Sequence, residues 1–191
     1  MAFTTYPNGT ELMKILLLLA TGVTLAAAPT VTTLPNPIAP AATGKLQCYM
    51  PDVSRKTCNS LAGYKAGPDG VIQNSAQVLI SKNPVIIMET VSPVAVKATK
   101  VCGVVREQDV ENAKFTTGGH ALDAKQIGPL REQMKMAFKP IFGHEICTRY
   151  VADGDGFIAS ASMEGQALPG GEQRVIWVSP EDHYEVAPPA Q

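Results

Sequence analysis

Residues 15–25 form an almost wholly apolar run, with Lys14 before it and Ala26, Ala27 and Ala28 after it. A positive charge, an apolar stretch of about a dozen residues and a small-residue site are the parts of a cleavable secretory signal. The run is shorter than the roughly 20 apolar residues that a membrane-spanning helix requires. Its place at the N-terminus, ahead of a Pro- and Thr-containing stretch, favours a signal over a buried core helix. Residues 1–28 are therefore expected to be a signal peptide. The segment before Lys14 carries Glu11 and no other charge, so a start at Met13 supplies the better positive leader. Cleavage after Ala28 satisfies the small-x-small pattern but places Pro29 beyond the cut, and cleavage after Ala26 is the alternative. No cysteine lies near this boundary, which argues against lipid anchoring. No second apolar stretch of membrane length follows, so no transmembrane anchor is expected after cleavage. The predicted location is the periplasm or the extracellular space.

Export decides the state of the sulfurs. Cys48, Cys58, Cys102 and Cys147 are the four cysteines. An even number of them in an oxidising compartment predicts disulfides. Three pairings are possible, and Cys48–Cys58 with Cys102–Cys147 is preferred. The first closes a local loop, and the second ties a strand to the segment after the main helix. By loop entropy the two contribute about 3 and 4 kcal/mol. No C-x-x-C pair is present, which disfavours both a zinc site and a thiol-exchange role.

Pro29, Pro35, Pro37 and Pro40 mark residues 29–44 as an extended linker. Residues 45–191 then make one globular domain, long enough for a proper core. The net charge of −1 offers no field to attract nucleic acid.

Residues 51–63 read as a short N-terminal helix, opened by Pro51 or Asp52 and closed by Gly63, with Val53, Cys58 and Leu61 on one face. Pro68-Asp69-Gly70 is a turn. Strand-forming segments follow at 76–80, 85–91, 94–97 and 101–105, rich in Val and Ile and broken at Asn83-Pro84 and Ser92-Pro93. The main helix shows Ile127, Leu130, Met134, Phe138 and Ile141 on one face. Asp123 and Gln126 form a capping pair, although Pro129 puts the regular helix only from Gly128. Residues 145–152 and 157–163 form a hairpin about Asp153-Gly154-Asp155-Gly156, and Arg174 to Val178 are a last strand. The expected fold class is α+β. It has a mostly antiparallel sheet of about five to seven strands, one main helix and the short N-terminal helix, stapled by disulfides.

No local motif for catalysis or metal binding is present. Asp153 and Asp155 suggest a calcium loop, but Phe157 and Ile158 fall where an oxygen ligand and a glycine are needed. His120, His144 and His183 lack chelating spacing. Glu89 is the one acid inside an apolar β run, and it reads as facing solvent. Trp177 reads as a core anchor. No cofactor is expected. The functional expectation is a non-enzymatic module that binds an unknown protein or small molecule. The alternative is a small periplasmic hydrolase whose Glu89 and His120 or His144 meet only in three dimensions.

Overall fold

The computed structural model describes residues 36–67 and 69–189. The expected signal segment and residues 29–35 of the proline-containing stretch lie outside the described residues. The last residues of that stretch form a 3-10 turn, Ala39–Thr43, next to which Ile38 is buried.

Short segments rich in Val, Ile, Thr and Tyr form twelve strands: β1 Leu46–Tyr49, β2 Thr57–Cys58, β3 Ser60–Ala66, β4 Ile72–Lys82, β5 Val85–Lys97, β6 Lys100–Val104, β7 Lys114–Thr117, β8 His120–Ala121, β9 Glu145–Asp153, β10 Gly156–Met163, β11 Gln166–Val178 and β12 Glu185–Val186. Two helices interrupt them, α1 Glu107–Glu111 and α2 Ala124–Phe138.

The strands correct the expected α+β class. Eight of them run β4–β3–β1–β11–β10–β9–β6–β5, every neighbour antiparallel, and β5 pairs with β4 to close the circuit. The molecule is a closed antiparallel β-barrel with one main helix. Closure satisfies the backbone groups that an open sheet leaves on its edges. No helix among the described residues is long and apolar enough to cross a membrane.

The expected N-terminal helix is absent. Residues 52–56 form a turn, and β2 and β3 follow. The helical spacing of Val53, Cys58 and Leu61 is misleading because β3 is covered on both faces. Leu61 packs outward against Cys48, Cys58 and Val178, while Ala62 packs inward. A strand buried on both sides shows no clear two-residue alternation.

Other elements differ in extent. β5 runs unbroken through Ser92-Pro93. Its residues 87–89 pair with β7 and residues 95–97 with β6. Pro93 falls between the two pairings, where β5 has a partner on one side only, and so it interrupts no second ladder. Helix α2 is regular from Ala124, with Pro129 inside it. The capping pair holds the first turn: Gln126 N–H donates to the Asp123 carboxylate at 2.9 Å, and Asp123 N–H to Gln126 Oε1 at 3.1 Å.

Two disulfides join Cys48 to Cys58 and Cys102 to Cys147. Such bonds are compatible with an oxidising, exported location.

The first apolar cluster lies around the barrel, and the second reaches the lumen through Met88 and Phe138. One gathers Cys48, Cys58, Leu61, Leu79 and Val178 on outward-facing positions, covered by Tyr184 and Val186 of the C-terminal segment. The other gathers Met88, Ala113 and Phe115 against Ile127, Leu130, Met134 and Phe138 of α2. Where β5 passes from β7 to β6 the wall divides, and α1 and α2 lie at that divide.

Candidate functional site

Side chains alternate between the two faces of a strand, so register assigns the lining of the barrel. Gln47 is opposite Ala62, Ala62 opposite Ala76, and Ala76 opposite Thr90. Tyr64, Asn74 and Ser92 make the next row, and Val101 and Thr148 face them from β6 and β9. These inward positions hold small or polar residues. Ala62, Ala76 and Gly103 leave room that larger side chains would fill, and a cavity of about 350 Å³ results. That volume lies in the range of small-molecule sites, and an eight-stranded barrel is just wide enough to hold one such ligand.

At one side of the cavity four polar side chains meet from three strands. Gln47 is 1% exposed and sits behind the cavity wall. Tyr64 donates to Gln47 Oε1 at 2.8 Å, and the Tyr49 and Tyr150 oxygens lie 3.0 and 3.3 Å from the same atom, one of them donating to it. The Tyr49 and Tyr150 oxygens are 2.7 Å apart. β1 and β9 are separated by β11 and β10, so this bond spans the lumen and pins its width. Burial pushes the Tyr49 and Tyr64 phenols well above their ordinary range, and the neighbouring Tyr150 phenol adds to the shift in both. Both stay neutral at physiological pH, which makes them hydrogen-bonding groups rather than bases or nucleophiles.

The opposite side is apolar, with Val94, Val110, Phe138 and Ile146. α1 supplies the mouth. The Arg106 guanidinium holds Asp109 through both carboxylate oxygens, and Ser92 Oγ donates to Asp109 Oδ2 at 2.9 Å. Among the described residues, Arg106, Asp109 and the tyrosines are the only ionisable ones lining the cavity.

A second hollow of about 480 Å³ lies on the outer face of β3, β4 and β5, over Gly63. Two of its polar groups are joined to each other, since Gln77 donates to Glu89 at 2.9 Å. The lumen, where polar groups converge from three separate strands, is the better site.

The residues singled out in sequence lie elsewhere. Glu89 faces outward, and neither His120 nor His144 lines the cavity. His144 Nδ1 bonds Glu164 at 2.8 Å. Arg174 engages both Asp153 and Asp155 at the turn. Trp177 lies on the inward face of β11, opposite Gln47. Among the described residues one group of three metal-type ligand atoms comes together, at Cys102, Glu145 and Cys147, and its two sulfurs are bonded to each other.

The lumen residues carry no local motif. The signal available was the two-residue recurrence of small polar residues in Ser60-Ala62-Tyr64, Asn74-Ala76 and Thr90-Ser92, read as an interior rather than as a solvent face. Comparison with protein families, curated proteins and solved structures finds no match to the chain.

Proposed function

We propose that the protein is an exported, non-enzymatic binding module that holds a small molecule inside its barrel. One observation carries the reading: small and polar residues occupy inward positions that side chains of ordinary core size would otherwise fill. A barrel of this size reaches native packing density when Leu, Ile and Phe point inward. Here Ala62, Ala76, Thr90, Ser92 and Gly103 stand among Val94, Val101 and Ile146, and the lumen keeps its volume and its hydrogen-bonding groups. The neutral phenols suit recognition. Periplasmic or extracellular placement accords with the two disulfides.

The test is a small-molecule screen by two-dimensional NMR on the wild type and on Ala76→Phe, whose ring fills the lumen. Overpacking of this kind costs about 1–3 kcal/mol. Circular dichroism establishes that the variant is folded, and Ala62→Leu serves in its place if it is not. Molecules that shift Thr90, Ser92 and Thr148 in the wild type are expected to lose at least tenfold in affinity in the variant. Ligands that bind the filled barrel as well as the open one refute the proposal.

A further inference from the structure

The lumen's hydrogen-bonding inventory indicates what sort of molecule it takes. Each phenol has one proton. Tyr64 gives its proton to Gln47. Of Tyr49 and Tyr150, one proton lies between the two oxygens and the other goes to Gln47. Ser92 gives its proton to Asp109, and Asn74 gives one of its amide protons to the Gly63 carbonyl at 3.1 Å. What these five groups still offer the cavity is chiefly oxygen lone pairs. Ser60, Thr90 and Thr148 are rotors that adapt to either role.

Charge is the second constraint. The Arg106–Asp109 pair at the mouth is internally neutralised, and nothing else on the wall is ionised. An ion entering the lumen would shed its water without meeting a counter-charge, at a cost far above that of a neutral polar group. The apolar side, with Phe138, Ile146 and Val110, accepts an apolar body.

We infer that the barrel selects an uncharged molecule that directs N–H or O–H donors at the tyrosine oxygens and an apolar body at Phe138. This inference rests on the proposal that the lumen is the binding site.

Four probes of nearly equal shape separate the terms: benzamide, a neutral donor; methyl benzoate, neutral and without a donor; benzoate, an anion; and benzamidinium, a cationic donor. Affinities are measured by calorimetry at neutral pH. Benzamide is expected to bind about tenfold or more tightly than each of the others, and Ala76→Phe to abolish the difference. A missing hydrogen bond in a closed site is worth about this factor. Methyl benzoate binding as well as benzamide removes the donor requirement. Benzoate or benzamidinium binding as well removes the requirement for neutrality. Xenon, which makes no polar demand, distinguishes the remaining cases. If no probe binds but xenon enters the wild-type lumen and is excluded from Ala76→Phe, the cavity stands and the donor preference is wrong. If xenon does not enter either, the lumen is not a site, and the proposed function falls with the inference.

Discussion

Gln47 is the side chain on which the interior is organised. A buried carboxamide must find partners, and here its oxygen meets phenols from β1, β3 and β9 at once. The same burial that favours those bonds disfavours tyrosinate, and that has a consequence at high pH. Tyr49 and Tyr64 have folded-state pKa values raised above the unfolded value near 10. Below pH 10 both states hold the phenol proton and the contribution to stability is complete. Above pH 10 the unfolded chain ionises while the folded chain does not, so stability falls as pH rises. The loss is about 1.4 kcal/mol per pH unit for each phenol so held. Chemical denaturation at pH 9, 10 and 11 should show the decline beginning near 10. Tyrosinate absorbance should show Tyr49 and Tyr64 titrating only as the protein unfolds. Tyr64→Phe should reduce the slope. Titration of every tyrosine near pH 10 with the fold intact would mean that the cluster is wet and open.

At the scale of elements, the barrel and its helices are fastened differently. Strand follows strand round the barrel through continuous backbone ladders. α2 has no fully buried residue, and it rests on the second apolar cluster through one face. Its remaining fastenings are to α1 and the chain after it. Arg131 donates to the carbonyls of Val110 and Ala113 at 3.3 and 3.2 Å, with its guanidinium 6.0 Å from the Phe115 ring centroid. Lys135 reaches Glu107, Glu111 and Glu132. Glu107 is the principal cause of its raised pKa, but the three glutamates are exposed and salt screens such pairs. Arg131 is therefore the stronger clasp. Arg131→Ala removes a donor from two carbonyls, of which Val110 keeps the Ala113 N–H, and should cost about 1 kcal/mol. Hydrogen exchange should show α2 amides opening well before those of β4, β5 and β10, and the variant should widen that gap. Equal loss of protection in helix and strands would show that α2 is integral to the barrel. α2 was also the most legible element in the sequence, because its apolar face and its Asp123–Gln126 cap are local patterns. The β9–β10 turn was legible for the same reason. The closure of β4 on β5 was not, since the division of β5 between β6 and β7 is a tertiary choice that no local pattern encodes. Nor was the lumen. Gln47, Tyr49, Tyr64 and Tyr150 meet across about a hundred residues of chain, and the polar positions beside them look like an ordinary solvent face until the barrel is closed.

For the whole molecule, the two disulfides brace different parts of one closed surface. Cys48–Cys58 joins β1 to β2, and β2 is the strand against which the C-terminal β12 lies. Both its sulfurs belong to residues at most 1% exposed, inside the first apolar cluster. Cys102–Cys147 joins β6 to β9 on the outer wall beside the divide in β5, and Cys147 is only half-buried. Thiol–disulfide exchange requires a reductant to reach a sulfur along the S–S axis. Access, more than loop length, then sets the order of reduction in the folded protein. Limited reduction with dithiothreitol, followed by alkylation and peptide mass mapping, should find Cys102 and Cys147 labelled first. Cys48 and Cys58 should be labelled only under conditions that unfold the barrel. The singly reduced protein should keep its strand signal but lose on the order of 4 kcal/mol in denaturant unfolding, the value for closing a loop of this size. It should also lose ligand affinity, because the β6–β9 wall that carries Gly103, Ile146 and Thr148 is no longer stapled. Early labelling of Cys48 and Cys58 would mean that the C-terminal segment lifts from the outer cluster while the barrel stays closed. In that case the first apolar cluster, rather than the mouth beneath α1 and α2, would be the part of the molecule that opens.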